Sequence, residues 1–207
     1  MSVERLEIPG LDVSRETEEK LRDFAGMVSR WTSTINLISP KTTPEIWQRH
    51  VRDSAQIVVV PRAAPNMWLD LGSGGGFPGV VLSVIAAELW PRMMTVLVES
   101  DQRKATFLRA AIRELSLNAT VLDRRSEELA SIGADVMTAR AFAPLVALLG
   151  HARHHLAPNG QAVLHKGQNY ENEIARARQQ WRFDLAIRPS LTDEKARILT
   201  VERIERV

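Results

Sequence analysis

Apolar side chains recur along this chain in two rhythms, and the rhythm changes near residue 61. Before that point Leu21, Phe24, Val28 and Trp31 fall at three- and four-residue spacing behind Ser14, a helix-capping residue type, so the pattern predicts an amphipathic helix whose stripe lies in a core. After a loop through Ser39-Pro40-Lys41, Thr43-Pro44 opens a second predicted helix on which Ile46, Trp47, Val51, Ser54 and Val58 share a face, and Pro61 to Pro65 is the expected linker. Beyond the linker, short apolar runs near 67–71, 95–99, 119–122, 135–139 and 161–165 predict strands. They alternate with helices expected from Pro78, over 101–115, from Ser126, over 144–155 and over 170–180. Such alternation specifies a largely parallel sheet with helices on both faces. Phe183–Ile187 and Ile198–Ile204 have no helix-length segment between them, as an antiparallel hairpin closing the sheet requires. The expected division is a helical extension over 1–60 packed on an α/β domain over 61–207.

The junction after the first strand carries the chemistry. Leu69-Asp70-Leu71-Gly72-Ser73-Gly74-Gly75-Gly76-Phe77-Pro78-Gly79 joins an acidic strand end to a glycine loop and a proline-started helix, whose free N–H groups suit an anion. The dinucleotide fingerprint G-x-G-x-x-G places a small residue in its sixth position, where this loop has Phe77. Asp70 would also repel a pyrophosphate. A loop of this kind resembles the S-adenosylmethionine loop of class I methyltransferases, whose cofactor ends in both an ammonium and a carboxylate. Glu99 follows at the end of the second strand, where a carboxylate can accept both ribose hydroxyls; its alternative is an acidic cap, a reading that holds for Asp101 in either case. The loop's own alternative is an ordinary strand-to-helix turn.

A length of 207 residues with 44% hydrophobic content suits one sizeable core with an accessory element. The chain has no cysteine, which excludes disulfides, thiolate metal sites and cysteine nucleophiles and fits a cytoplasmic protein. Met1-Ser2-Val3-Glu4-Arg5 lacks an apolar signal core, and the apolar stretch Val80–Trp90 is too short and too interrupted to span a bilayer, so no membrane association is expected. The 27 basic residues exceed the 25 acidic ones only slightly, yet most are arginine, the better bidentate phosphate ligand. Arg103, Lys104, Arg109, Arg113, Arg124 and Arg125 concentrate after the second and third strands and favour a polyanionic substrate, against the alternative of solvated helix faces.

Ile35-Asn36-Leu37-Ile38-Ser39, Arg49-His50-Val51-Arg52-Asp53-Ser54, the glycine loop through Phe77-Pro78-Gly79, and Ala139-Arg140-Ala141-Phe142-Ala143 occur together and in this order. Together they resemble the RsmG (GidB) family over nearly the whole chain. That family transfers a methyl group from S-adenosylmethionine to N7 of a guanine in 16S rRNA. The resemblance implies a Rossmann-like class I methyltransferase with a mostly parallel seven-stranded sheet and antiparallel C-terminal hairpin. It implies 16S rRNA of the small ribosomal subunit as partner, and places cofactor contacts on Gly72, Phe77, Ser126, Glu127 and Arg140 beside Asp70, Gly74, Gly76 and Glu99. One departure is Arg103 in Glu99-Ser100-Asp101-Gln102-Arg103-Lys104, where the family usually has lysine.

Guanine N7 carries an in-plane lone pair and no proton, so the chemistry calls for positioning and for no catalytic base. Lys166, at the end of the fifth strand, is the candidate to orient the base through O6; its alternatives are a phosphate contact and a solvated loop lysine. Arg103, Lys104, Arg124 and Arg125 are the candidate RNA-binding residues, and Phe142 or Trp47 a candidate stacking partner. His50 and Asp53 share a helix face and are expected to join the N-terminal helices to the sheet rather than to hold a metal. His151, His154 and His155 fall in the last turns of a helix, where the dipole favours them. No metal is expected, and a monomer is. Two rivals stay open: a ribosome-assembly factor that keeps the fold without chemistry, and an NAD-dependent oxidoreductase.

Overall fold

A computed structural model describes residues 5–207; residues 1–4, on which part of the expectation about a signal segment falls, lie outside it. Seven strands form one sheet: β1 (Met67–Leu71), β2 (Met94–Val98), β3 (Ala119–Leu122), β4 (Ala134–Arg140), β5 (Leu156–Lys166), β6 (Trp181–Pro189) and β7 (Arg197–Arg206), in the order β3-β2-β1-β4-β5-β7-β6. The first five run parallel, and β7 pairs antiparallel with both β5 and β6. The chain leaves β1 for β2 on one side and returns through β4 on the other, which opens a crevice at the carboxyl ends of β1 and β4. Ligands bind at such switch points in doubly wound sheets.

The N-terminal pattern folds as its spacing dictates. Helix α1 (Arg15–Thr32) is capped by the Ser14 side chain, which accepts from the Thr17 N–H, and buries Leu21, Phe24 and Val28. Each of those burials stabilises by about 1.5–3 kcal/mol. They share one core with Val80, Val81 and Phe107, from helices α3 (Gly79–Leu89) and α4 (Gln102–Glu114), so the N-terminal helices cover one face of the sheet.

Where a single second helix is expected, the chain makes a 3-10 segment over Pro40–Glu45, a wide π turn over Trp47–Arg52 and one α-helical turn, α2, over Asp53–Ala55. Pro44 removes an amide donor from the first of these, and the π turn is a form that recurs at functional sites. Trp47, Val51, Ser54 and Val58 are nevertheless buried as their spacing requires.

The helix expected from Ser126 is the clearest departure. Only one 3-10 turn forms, Ser126–Glu128, and the chain then runs extended at Leu129. Leu129 and Ile132 do pack against the second core, but Gly133, at φ +70°, turns the chain immediately before β4 begins at Ala134, which leaves the segment too short to wind a packed helix. The remaining helices, α5 (Leu145–His155) and α6 (Tyr170–Ala177), cover the second face with Leu148, Leu149, Ala152 and Ala177.

Candidate functional site

Two cavities open side by side at the carboxyl edge of the sheet. The first, about 460 Å³, is lined by Gly72 and Gly74 of the glycine loop, Glu99 and Lys104 after β2, Arg124 to Glu127 after β3, Phe142 after β4, and Ala147 and His151 of α5. Its volume falls within the usual range for small-molecule sites, about 300–1,000 Å³. The second, about 1100 Å³, lies beyond β4 and is lined by Arg49, Asp53, Arg140, Phe142, His165, Lys166, Glu173, Arg176 and Lys195, among others. Ala141, Phe142 and Ala143 border both.

The glycine loop is shaped by contacts beneath it. Asp70 is completely buried; its carboxylate accepts from the Gly79 N–H at 3.2 Å and the Thr138 hydroxyl at 2.8 Å. Burial pushes its pKa up to about 6, against the pull of those donors. A side chain on Gly79 would collide with this carboxylate, so glycine is what lets helix α3 start so close to β1. The first helical amide therefore points inward at Asp70 and is not free for an anion, contrary to the sequence expectation. Phe77, joined to Pro78 by a cis peptide bond, is buried between Phe24 and His50, and Gly76 packs beneath Phe24 and Val80. Of the residues expected at the cofactor, then, Asp70, Gly76 and Phe77 do not line the first cavity and face the core instead.

Gly72, Gly74, Glu99, Ser126 and Glu127 do line the first cavity. Gly72 has φ +67°, a left-handed conformation that costs a residue with a side chain roughly 1–2 kcal/mol. A Cβ there would also overlap the Phe142 ring. Glu99, 8% exposed, accepts from the Gly74 N–H at 2.9 Å and the Asp101 N–H at 2.8 Å, tying the loop to the end of β2. Asp101 caps α4 as expected, accepting from the amides of Arg103 and Lys104. Ser126 does not cap its turn, and its buried hydroxyl has no partner among the described residues. An orphaned hydroxyl, a carboxylate at the second strand's end and a side-chain-free loop together fit an adenosyl group.

Arg140 is turned away from this cavity into the second. Its guanidinium donates to Nδ1 of His50 at 2.9 Å and to Asp53 at 3.3 Å, and lies over the Phe77 ring at 5.4 Å. His50 and Asp53 do join the N-terminal helices to the sheet, but through Arg140 rather than by a bond to each other. Asp53 also accepts from the Thr192 hydroxyl at 2.6 Å and, at its carbonyl, from Nε2 of His165 at 3.0 Å. Burial, assisted by the Arg140 charge, lowers the His50 pKa to about 4, so its ring is neutral and accepts at Nδ1 while Nε2–H donates to Thr42. Lys166 is 8% exposed and donates to Glu173 at 2.8 Å and to the Ala143 carbonyl at 2.9 Å. It is no solvated loop lysine.

The four candidate RNA contacts separate. Arg103 points outward beside Asp101 at 3.6 Å, whereas Lys104, Arg124 and Arg125 rim the first cavity. From sequence His151 has only a helix-end role, whereas in the structure it lines the first cavity, packs edge-on to Phe142 at 5.5 Å and lies 3.5 Å from Glu127. The signal was available, since His151 and Ala147 lie four residues apart and share one face of α5. His154 and His155 instead bond the Leu129 and Ser126 carbonyls. Among the described residues no group of three His, Asp or Glu side chains converges as a metal site, and no helix is long and apolar enough to cross a membrane.

Comparison with known proteins matches this architecture. Among solved structures, a SAM-dependent methyltransferase from Aquifex aeolicus superposes with a TM-score of 0.59 at 12% identity, covering 76% of this chain and 92% of that one. A T. thermophilus 16S rRNA methyltransferase in complex with AdoMet and guanosine gives 0.51 at 16% identity, covering 72% and 38%. At those identities the likeness is one of fold. Sequence goes further: ribosomal RNA small subunit methyltransferase G of Cereibacter sphaeroides is 53% identical over 198 residues, covering 95% of both chains. The enzyme of the same name from Ruegeria pomeroyi is 43% identical over 199 residues, covering 95% of this chain and 96% of its own. The family model described as rRNA small subunit methyltransferase G matches residues 17–199, and the chain belongs to that family.

Proposed function

We propose that this protein transfers a methyl group from S-adenosylmethionine to N7 of a guanine in 16S rRNA of the small ribosomal subunit. The observation that carries the reading is the pairing of two cavities across one short loop, one fitted to an adenosyl group and the other lined by Arg49, Arg140, Lys166, Arg176 and Lys195 among the carboxylates of Asp53, Glu173, Asp193 and Glu194, two of which hold Arg140 and Lys166 in place. The rival oxidoreductase lacks support from the glycine loop, whose sixth position is a buried phenylalanine, and from the family to which the chain belongs.

S-adenosylmethionine supplies an electrophilic methyl on a sulfonium, and guanine N7 supplies the lone pair. The backbone of Gly72 and Gly74 receives the cofactor's amino-acid end, Glu99 accepts the ribose hydroxyls, and Ser126 with Glu127 meets the adenine edge. Asp70, Gly76 and Phe77 act one layer behind, fixing the loop's curvature. Arg140, held by His50 and Asp53, presents a preorganised cation at the second cavity, and Lys166 orients the base by donating to O6. Arg49, Arg176 and Lys195 contact backbone phosphates there. Lys104, Arg124 and Arg125 meet the RNA at the rim of the first cavity, with Arg103 outermost. No group needs to take a proton before attack, so the residues act by alignment, which can contribute several kcal/mol, on the order of 7–11 in the best oriented systems.

The test is incubation with radiolabelled S-adenosylmethionine and small subunits lacking their 7-methylguanosine, followed by chemical cleavage at 7-methylguanosine. Label at one guanine of 16S rRNA is the expected result. Label at another atom, or on protein alone, refutes the assignment, and calorimetric binding of the cofactor without any transfer favours the assembly-factor alternative.

A further inference from the structure

Phe142 stands at the boundary of both cavities, and the proposed reaction leaves it without a task. Exposure alone would argue nothing, since single apolar side chains are common on surfaces. Its setting does. Phe24, Phe77, Phe107 and Phe183 are all buried, whereas Phe142 is 38% exposed at the carboxyl edge of the sheet. The residue before it, Ala141, has φ +50°, a left-handed conformation that is unfavourable for alanine and persists only where the surroundings enforce it. That bend lays the ring against Gly72, where a Cβ would overlap it, and edge-on to His151. The next residue's carbonyl, on Ala143, accepts from Nζ of Lys166 at 2.9 Å.

We infer that Phe142 is the platform on which the target guanine stacks, and that the strained Ala141 bend and the Lys166–Ala143 bond fix this platform relative to the group that orients the base. The inference rests on the proposed methyl transfer. Gly72 and His151 support the ring on the cofactor side, while it also borders the second cavity, where Arg140 and Lys166 stand and through which RNA enters. A base stacked there lies beside the cofactor cavity and within the region that Lys166 reaches. Trp47, the other aromatic candidate, is only 7% exposed in the core beneath the N-terminal helices and cannot present a face to RNA. Alanine substitution of stacking aromatics loosens nucleic acids by about 5- to 150-fold per base, from ~1–3 kcal/mol at 1.4 kcal/mol per tenfold.

The experiment compares wild type with Phe142→Ala, Phe142→Leu and Phe142→Trp. Three quantities are read: kcat/KM for subunits lacking the methyl group, calorimetric Kd for S-adenosylmethionine, and co-sedimentation with those subunits in the presence of the unreactive product S-adenosylhomocysteine. The Ala and Leu variants are expected to lose about 5- to 150-fold in kcat/KM and to co-sediment more weakly, with a smaller change in cofactor Kd than in kcat/KM, and with Trp retaining activity within about threefold. A Leu variant as active as wild type would show that the ring merely fills space and would overturn the inference. So would an Ala variant whose loss lies entirely in cofactor Kd. Should wild type itself methylate no RNA, the functional reading fails first and the platform falls with it; transfer by wild type with no effect of Phe142→Ala sinks the platform alone.

Discussion

The two cavities at the carboxyl edge of the sheet are built from different materials. The floor of the cofactor side is backbone: glycines at Gly72 and Gly74, a loop bound to Glu99 through the Gly74 amide, and Asp70 gripping the first amide of α3 from below, with side chains such as Lys104 and Glu127 only at its walls and rim. The substrate side is made of long side chains gathered from remote segments, with Arg49 and Asp53 from the N-terminal turns, Arg140 from β4, Lys166 from β5, Arg176 from α6 and Lys195 from the β6–β7 connection. A small, invariant cofactor suits a rigid backbone mould, while a large polyanion is met by charges whose placement depends on the whole fold being in place.

The strongest way to break the contrast is to add a side chain on the backbone side. Gly72→Val should raise the cofactor Kd at least about 100-fold, because the left-handed conformation and the overlap with Phe142 both oppose it. Calorimetry reads this, and an unchanged Kd would place the cofactor elsewhere. On the other side, Lys166→Ala should lower turnover at saturating subunits about 5- to 150-fold, the span of roughly 1–3 kcal/mol for a base-edge contact, with the cofactor Kd within about threefold. Glu173→Gln, which removes the charge facing Lys166 while its amide oxygen can still accept from the Leu145 N–H that Glu173 holds at 2.7 Å, should cost less than the lysine change; equal losses would make the lysine a structural ion pair.

Asp70→Asn sharpens the division within the cofactor side. Asparagine can accept from the Gly79 amide and donate to Thr138, so the loop survives, and the cofactor Kd should rise less than about threefold. A tenfold rise would mean that the carboxylate reaches the cofactor's ammonium directly. The pH dependence follows from the sign of the shift. The folded pKa of Asp70, about 6, lies above its unfolded value, so ionisation destabilises the fold as pH rises from roughly 4 to 6. Asp70→Asn should therefore be stabilising at neutral pH, by up to about 3 kcal/mol, and the advantage should shrink toward pH 4.

The smallest effect lies at the hinge between the two sides. His50 titrates near 4 when folded and near 6.5 when unfolded, so its contribution is complete above pH 6.5 and is lost as pH falls toward 4. Denaturant unfolding of His50→Gln across that window should show a shallower acid loss than wild type. A parallel curve would detach His50 from the Arg140 network.

The same contrast decides what could be read from the sequence. The succession of strands and helices, the helix stripes and the glycine loop depend on local periodicity and turn chemistry, and these appear where Leu21, Phe24, Val28 and Gly72 predict them. The helix expected from Ser126 does not form, because Gly133 turns the chain and β4 begins at Ala134 before a packed helix could be wound, a limit that one capping residue type does not reveal. The inward roles of Asp70 and Phe77 were illegible, since a strand-end acid looks alike whether it faces a ligand or the next helix. Arg49, Arg176 and Lys195 carry no local signal at all; only the tertiary fold brings them beside Lys166.

The most direct measurement is a crystal structure with S-adenosylmethionine bound. The account predicts the cofactor's amino-acid end over Gly72 and Gly74, the ribose hydroxyls on Glu99, the adenine beside Ser126 and Glu127, and the methyl directed past Phe142 toward the cavity of Arg140 and Lys166. An adenosyl group in that second cavity, or a methyl facing the buried side of the loop, would contradict it.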